Sequence, residues 1–158
     1  MNEIRILLVD DEEDFIRTIS ERLDLRDLAS HTAFNGEQAL GCVDEDEPDV
    51  MVLDLKMPGI DGMEVLRRVR RQYPGIQVII QTGHGNDLDE AEARRLGVFD
   101  YLKKPVDIEL LVDRIKAAYE AKKAGAEATM SAAAFAEAGE HDTARAMMDK
   151  ADKPGRKD

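Results

Sequence analysis

Over its first 120 residues the chain repeats one alternation five times: a short apolar run of strand length, then a segment with apolar residues at helical spacing. The runs are Ile4-Arg5-Ile6-Leu7-Leu8-Val9, His31-Thr32-Ala33-Phe34, Val50-Met51-Val52-Leu53, Ile76 to Ile80 and Val98-Phe99-Asp100-Tyr101-Leu102. Between and after them, Phe15, Ile16, Ile19 and Leu23 mark a helix over 13–25, and a short one is expected over 37–46. Val65, Leu66 and Val69 mark a third, Ala91, Ala93 and Leu96 a fourth, and Ile108, Leu111, Val112 and Ile115 a fifth. Asn35-Gly36, Pro58-Gly59, Pro74-Gly75 and Gly97 punctuate these segments as turns or helix stops. Five βα units in a row predict an α/β fold, a doubly wound parallel sheet with helices on both faces. Runs one, three and four are apolar throughout, as strands covered on both faces should be.

A sheet of this kind places its ligand site beyond the carboxyl ends of the strands, near the switch in strand order. The residues there are therefore the informative ones. Run one ends in Asp10-Asp11, run three in Asp54, run four in Thr82-Gly83, and run five leads into Lys103-Lys104-Pro105. Crowded carboxylates repel one another and stay ionised most readily around a cation. An all-oxygen set suits Mg²⁺, which keeps waters and accepts phosphate oxygens. No Cys/His spacing suggests zinc. A carboxylate can attack phosphorus to give an aspartyl phosphate, and a lysine and a hydroxyl can hold the phosphoryl oxygens. Each feature also has an ordinary reading: acids at a helix start, a surface lysine, a turn threonine, a half-buried tyrosine at 101. Their joint position at adjacent strand ends favours a phosphoryl-transfer site.

Four stretches carry a family resemblance: Ile6-Leu7-Leu8-Val9-Asp10-Asp11-Glu12, Asp54-Leu55-Lys56-Met57-Pro58-Gly59-Ile60-Asp61-Gly62, Gln81-Thr82-Gly83 and Asp100-Tyr101-Leu102-Lys103-Lys104-Pro105. In this order, each at a strand end, they resemble the response-regulator receiver family with its CheY-like layout, over about residues 3–122. The resemblance implies a flavodoxin-like sheet of order 2-1-3-4-5. It implies Asp54 as phosphoacceptor and Asp11 as a direct Mg²⁺ ligand, with Asp10 acting through a water and the backbone carbonyl of Lys56 completing the protein's share. Lys104 would contact the phosphoryl group, Thr82 would hydrogen-bond it, and Tyr101 would be an aromatic switch that turns inward, with Gly83 leaving room. The Lys104-Pro105 bond would be cis. Lys56 and His84 would tune the rate of phosphoryl loss. Neither is a water-orienting acid or amide, so slow or moderate autodephosphorylation is expected.

What such a switch would contact follows in part from charge. Thirty-four acids against 22 lysines and arginines give a net charge of −12. So acidic a chain has no general attraction for nucleic acid, and no direct DNA binding is expected. The basic run Arg67, Arg68, Arg70 and Arg71 reads as a solvated helix face. The single Cys42 fits a reducing, cytoplasmic setting. No stretch approaches the roughly 20 apolar residues of a membrane span, so no membrane insertion is expected. The implied partners are a sensor histidine kinase or a histidine phosphotransfer protein, and a downstream protein target. The chain would act as a signalling switch rather than an enzyme in the usual sense. A phosphorelay intermediate, passing the phosphoryl group onward, is the alternative. A flavin or nucleotide enzyme would want a Gly-rich loop after the first run, where acids stand. A dehalogenase-type phosphatase would want an acid where Lys56 stands.

Beyond the receiver-like part, 1–122, residues 123–158 form an Ala-rich tail with Gly125 and Gly139 as interruptions. Two readings stand open. The tail extends the fifth helix and packs or frays, or pieces over 127–138 and 142–151 form a helical hairpin that could dock on a partner or make a homodimer. His31, His141 and Cys42 carry no functional signal.

Overall fold

Ile6–Val9 (β1), Ser30–Ala33 (β2), Val50–Leu53 (β3), Gln77–Thr82 (β4) and Asp100–Lys103 (β5) form one parallel sheet in the order β2-β1-β3-β4-β5. The structure is a computed structural model that describes residues 3–137, with side chains described through residue 126. The helices are Glu13–Asp24 (α1), Gly36–Glu45 (α2), Gly62–Gln72 (α3), Asp87–Arg95 (α4) and Ile108–Glu137 (α5). The expected doubly wound fold and strand order are both present.

Alternation along each strand divides the core into two layers, because successive strand residues point to opposite sheet faces. Leu7, Val9, Met51, Leu53, Val78 and Ile80 face α2, α3 and α4, where Ala39, Val43, Val65, Leu66, Val69 and Ala93 are buried. Ile6, Leu8, Val50, Val52 and Ile79 face α1 and α5, meeting Ile16, Ile19, Leu23, Leu111, Val112 and Ile115. β1 and β3 are buried at every position, whereas β2, at the sheet edge, is fully buried only at Ala33. That explains why β2 reads so weakly in the sequence: an edge strand covered on fewer sides needs fewer apolar residues.

Two expectations need correction. Gly125 does not interrupt the last helix, since α5 runs unbroken from Ile108 to Glu137. A glycine inside a helix costs about 1 kcal/mol relative to Ala, which the strong helix formers around it can absorb. Helix through residue 137 is common to both readings of the tail, since the hairpin reading also places a helical piece over 127–138. Gly139, His141 and the piece over 142–151 lie outside the described residues. Second, the basic run is not simply a solvated face. Arg67 bridges to Glu92 on α4 at 2.8 Å. Arg70 donates to the carbonyls of Leu96, Pro74 and Ile76.

Backbone contacts divide the chain into Met1–Tyr119 and Glu120–Asp158. All five strands and every candidate site residue belong to the first unit. No helix among the described residues is long and apolar enough to cross a membrane.

Candidate functional site

The parallel ladders continue one rung past the strands and so fix the residues that follow. Asp10 N–H donates to Ala33 O at 3.1 Å, Asp54 N–H to Val9 O at 3.0 Å, and Lys104 N–H to Thr82 O at 2.9 Å. Asp10, Asp54 and Lys104 are thereby set side by side along the carboxyl edge of the sheet. Asp10 and Asp54 are nearly inaccessible, at 1% and 3% exposure, while Asp11 is exposed. The Lys104-Pro105 peptide bond is cis, as the family resemblance implies.

Carboxylate oxygens of Asp10, Asp11 and Asp54 all lie within 4.8 Å of one another. Lys104 faces this cluster. Its Nζ lies 2.6 Å from Asp10 Oδ2, 3.1 Å from Glu12 Oε1 and 3.7 Å from Asp54 Oδ2, and 4.4 Å from the centroid of the Phe15 ring. Asp10 Oδ1 accepts from Glu12 N–H at 2.9 Å. Both Asp10 oxygens thus have protein partners. This leaves Asp11 and Asp54 as the freer carboxylates.

The electrostatics follow from this packing. Burial pushes the Asp10 carboxyl up, and the hydrogen bonds from Lys104 and Glu12 only partly offset it, while the charge of Asp54 adds to the rise. Burial alone would lower Lys104. The hydrogen bond and charge of Asp10, with Asp54 and Glu12, outweigh that and hold it above its ordinary value. The lysine therefore stands as a cation beside the acidic cluster.

The donor set tests the implied metal. Three carboxylates, with no imidazole or thiolate in the cluster, form a hard oxygen site of the kind that Mg²⁺ takes. The residues fit a divalent cation.

Thr82, at the end of β4, is 1% exposed, and its Oγ1 accepts from His84 N–H at 3.3 Å. His84 itself is exposed. Tyr101 is buried at 6% exposure, and its hydroxyl has no hydrogen-bond partner among the described residues. Burial pushes that hydroxyl up, and the charges of Asp89 and Glu90 add to it. Lys56 places its N–H 3.4 Å from Asp54 Oδ1 and its Nζ 3.4 Å from Asp89 Oδ2 on α4.

Two glycines matter that sequence reasoning did not single out. A Cβ at Gly62 would lie 2.0 Å from the Asp54 carbonyl oxygen, so the first turn of α3 abuts the Asp54 backbone directly. Gly62 N–H also donates to Leu55 O at 2.8 Å. A Cβ at Gly85 would lie 1.8 Å from the Tyr101 hydroxyl. Gly83, the glycine expected to leave room for the switch, meets only Lys104 at ordinary contact distance. Both Gly62 and Gly85 sit in or beside the quoted motifs, but only the packing reveals what each one admits. Phe15 and Glu12 as companions of Lys104 were likewise not foreseen.

A doubly wound sheet with buried acids, a lysine and a threonine along its carboxyl edge defines a class of phosphoryl-accepting signalling domains. The chain belongs to the response regulator receiver domain family, whose model matches residues 6–116. It is 36% identical over 121 residues to the C4-dicarboxylate transport transcriptional regulatory protein DctD of Pseudomonas aeruginosa, covering 77% of this chain and 26% of that protein. It is 38% identical over 117 residues to sporulation initiation phosphotransferase F of Bacillus subtilis, covering 73% of this chain and 93% of that protein. Among solved structures, a response regulator receiver domain from Clostridium thermocellum superposes with a TM-score of 0.72 at 34% identity, over 76% of this chain and 97% of that one. The chain thus spans about a quarter of DctD but nearly all of the phosphotransferase. Receiver domains are the phosphorylated switches of two-component systems and partner with histidine kinases or phosphotransfer proteins.

Proposed function

We propose that this chain accepts a phosphoryl group on Asp54 from a phosphohistidine on a sensor kinase, and that the new charge switches its protein-binding face. The observation that carries this is Asp54 itself. It is nearly buried, stands within 4.8 Å of Asp10 and Asp11, and faces Lys104 Nζ at 3.7 Å. A carboxylate oxygen of Asp54 bonds to phosphorus as the phosphorus–nitrogen bond of the donor breaks, and the departing imidazole takes a proton. Lys104, held charged by its neighbours, meets negative charge on the transferring oxygens. The Thr82 hydroxyl, at the end of β4 where its carbonyl accepts from Lys104 N–H, would hydrogen-bond the bound group. Asp11, Asp54 and the Lys56 carbonyl, with Asp10 through a water, would hold Mg²⁺, which supplies further positive charge to the phosphoryl oxygens.

Tyr101 already lies inward against Gly85, the position expected of it once Thr82 is drawn to a phosphoryl group. Its movement would be read on the surface of α4, β5 and α5. The Ala-rich segment beyond residue 122 would then serve as a separate helical appendage. The setting we propose is cytoplasmic, with output through protein contacts.

A second reading is a phosphorelay intermediate. The likeness to a protein named as a phosphotransferase, over 93% of that protein's length, favours it. One transfer assay addresses both. A histidine kinase core carrying labelled phosphohistidine is mixed with this chain and Mg²⁺, and a histidine phosphotransfer domain is added afterwards. Label is expected to move from kinase to this chain and to be absent with Asp54→Ala. Onward movement to the phosphotransfer domain identifies a shuttle. Label that stays on Asp54 until hydrolysis identifies a terminal switch. Failure of any cognate phosphohistidine donor to label the chain contradicts the reading.

A further inference from the structure

Asp89 takes no part in the transfer chemistry, yet it touches the acceptor loop. Its Oδ2 lies 3.4 Å from Lys56 Nζ and accepts from Asn86 N–H at 3.3 Å. Asn86 Oδ1 in turn accepts from Asp89 N–H at 2.9 Å, so Asp89 closes the capping box that begins α4. At its other end, Lys56 offers its backbone N–H to Asp54 Oδ1. One residue thus connects the acceptor carboxylate to the start of α4, by its amide on one side and its ammonium on the other.

The Lys56 ammonium has two anions to choose between. One is the Asp89 carboxylate. The other is the phosphoryl group on Asp54, which would add negative charge beside the same lysine's backbone. An ammonium that pairs with phosphoryl oxygens also occupies the space through which water must approach phosphorus. An ammonium held on α4 leaves that approach open.

We propose that Asp89 is a positioning residue for loss of the phosphoryl group: by pairing with Lys56 it holds the ammonium on α4 and keeps Asp54 open to water. The inference rests on the phosphoacceptor reading above. Asn at position 89 retains an oxygen to accept from Asn86 N–H, so the α4 cap survives while the charge on Lys56 is released.

The test uses the full chain as wild type, Asp89→Asn, Lys56→Met and the double variant. Each is labelled with acetyl phosphate and Mg²⁺, the donor is removed, and decay of the aspartyl phosphate is followed. Lys56 and Asp89 are both partly exposed, with side-chain exposures of 48% and 22%, so the pairing is modest in size. Asp89→Asn is expected to lengthen the half-life about two- to fivefold, the range an ion pair of this kind can supply. In the Lys56→Met background the same substitution is expected to change nothing. A purely structural cap would instead alter thermal stability in both backgrounds and leave the lifetime alone. An unchanged or shorter half-life in Asp89→Asn, or an equal change without Lys56, overturns the coupling while the phosphoacceptor reading stands. A wild type that takes no label overturns both.

Discussion

Tyr101 owes its inward position to the lack of a side chain at residue 85. Its hydroxyl occupies the place where a Cβ would stand, and Thr82 Cγ2 lies 3.1 Å from that same point. Thr82 is 1% exposed and Tyr101 6%, so the added methyl is relieved only if the Tyr101 ring moves out of its buried place. Gly85→Ala is therefore expected to expel the Tyr101 ring or to destabilise the fold by about 1–3 kcal/mol, the usual cost of overpacking. Tyr101→Ala in the same background removes the clash and should restore most of the loss. Thermal unfolding of the two single variants and the double checks this, and additive losses would show that the two residues do not meet. At the site itself, the sequence made Asp10, Asp54, Thr82 and Lys104 legible because each ends or follows an apolar run. It did not reveal that Lys104 spends its closest contact on Asp10 rather than Asp54. Side-chain reach across a sheet edge is set by packing, here by Phe15 and Glu12, which no linear pattern encodes.

At the scale of elements, α4 differs from its neighbours. Ala93 is its one fully buried residue, whereas α3 buries Gly62, Met63, Val65, Leu66 and Val69. Apolar burial stabilises at about 25 cal/mol per Å², so a helix anchored by one alanine gains little from the core. Polar contacts hold it instead: the Asn86–Asp89 capping box, the Lys56–Asp89 pair, the Arg67–Glu92 bridge and the Arg70 hydrogen bond to Leu96 O. A helix fastened mainly at its polar rim can shift without opening the core, which suits the switch-reporting part proposed for α4. Amide hydrogen exchange should therefore be faster across 87–95 than across 62–72, and Arg67→Ala should widen the difference. Equal protection of the two helices would contradict this picture. The same contrast explains what was legible. The periodicities of α1 and α3 are strong because both bury a full apolar stripe. The boundaries of α4 and of β5 were less sharp, since Val98 and Phe99 lead into β5 without belonging to it, Phe99 N–H donating to Val78 O at 2.7 Å.

For the whole molecule, the five-fold alternation of strand and helix carried most of the architecture, down to the strand order once the family resemblance was included. The C-terminal segment was less legible. Ala-rich sequence satisfies helix propensity at nearly every position and so gives no periodicity to mark an end, and Gly125 looked like a break that the helix passes through. The proposed function does not draw on the C-terminal segment; it rests on the chemistry that the sheet gathers at one edge. The most direct measurement incubates the protein with Mg²⁺ and acetyl phosphate or a phosphoramidate and locates any adduct by mass spectrometry. The expected result is one phosphoryl group on Asp54, lost when the divalent cation is chelated and absent in Asp54→Ala. A chain that stays unlabelled with Mg²⁺ present, or that carries the same label after Asp54→Ala, would contradict the account.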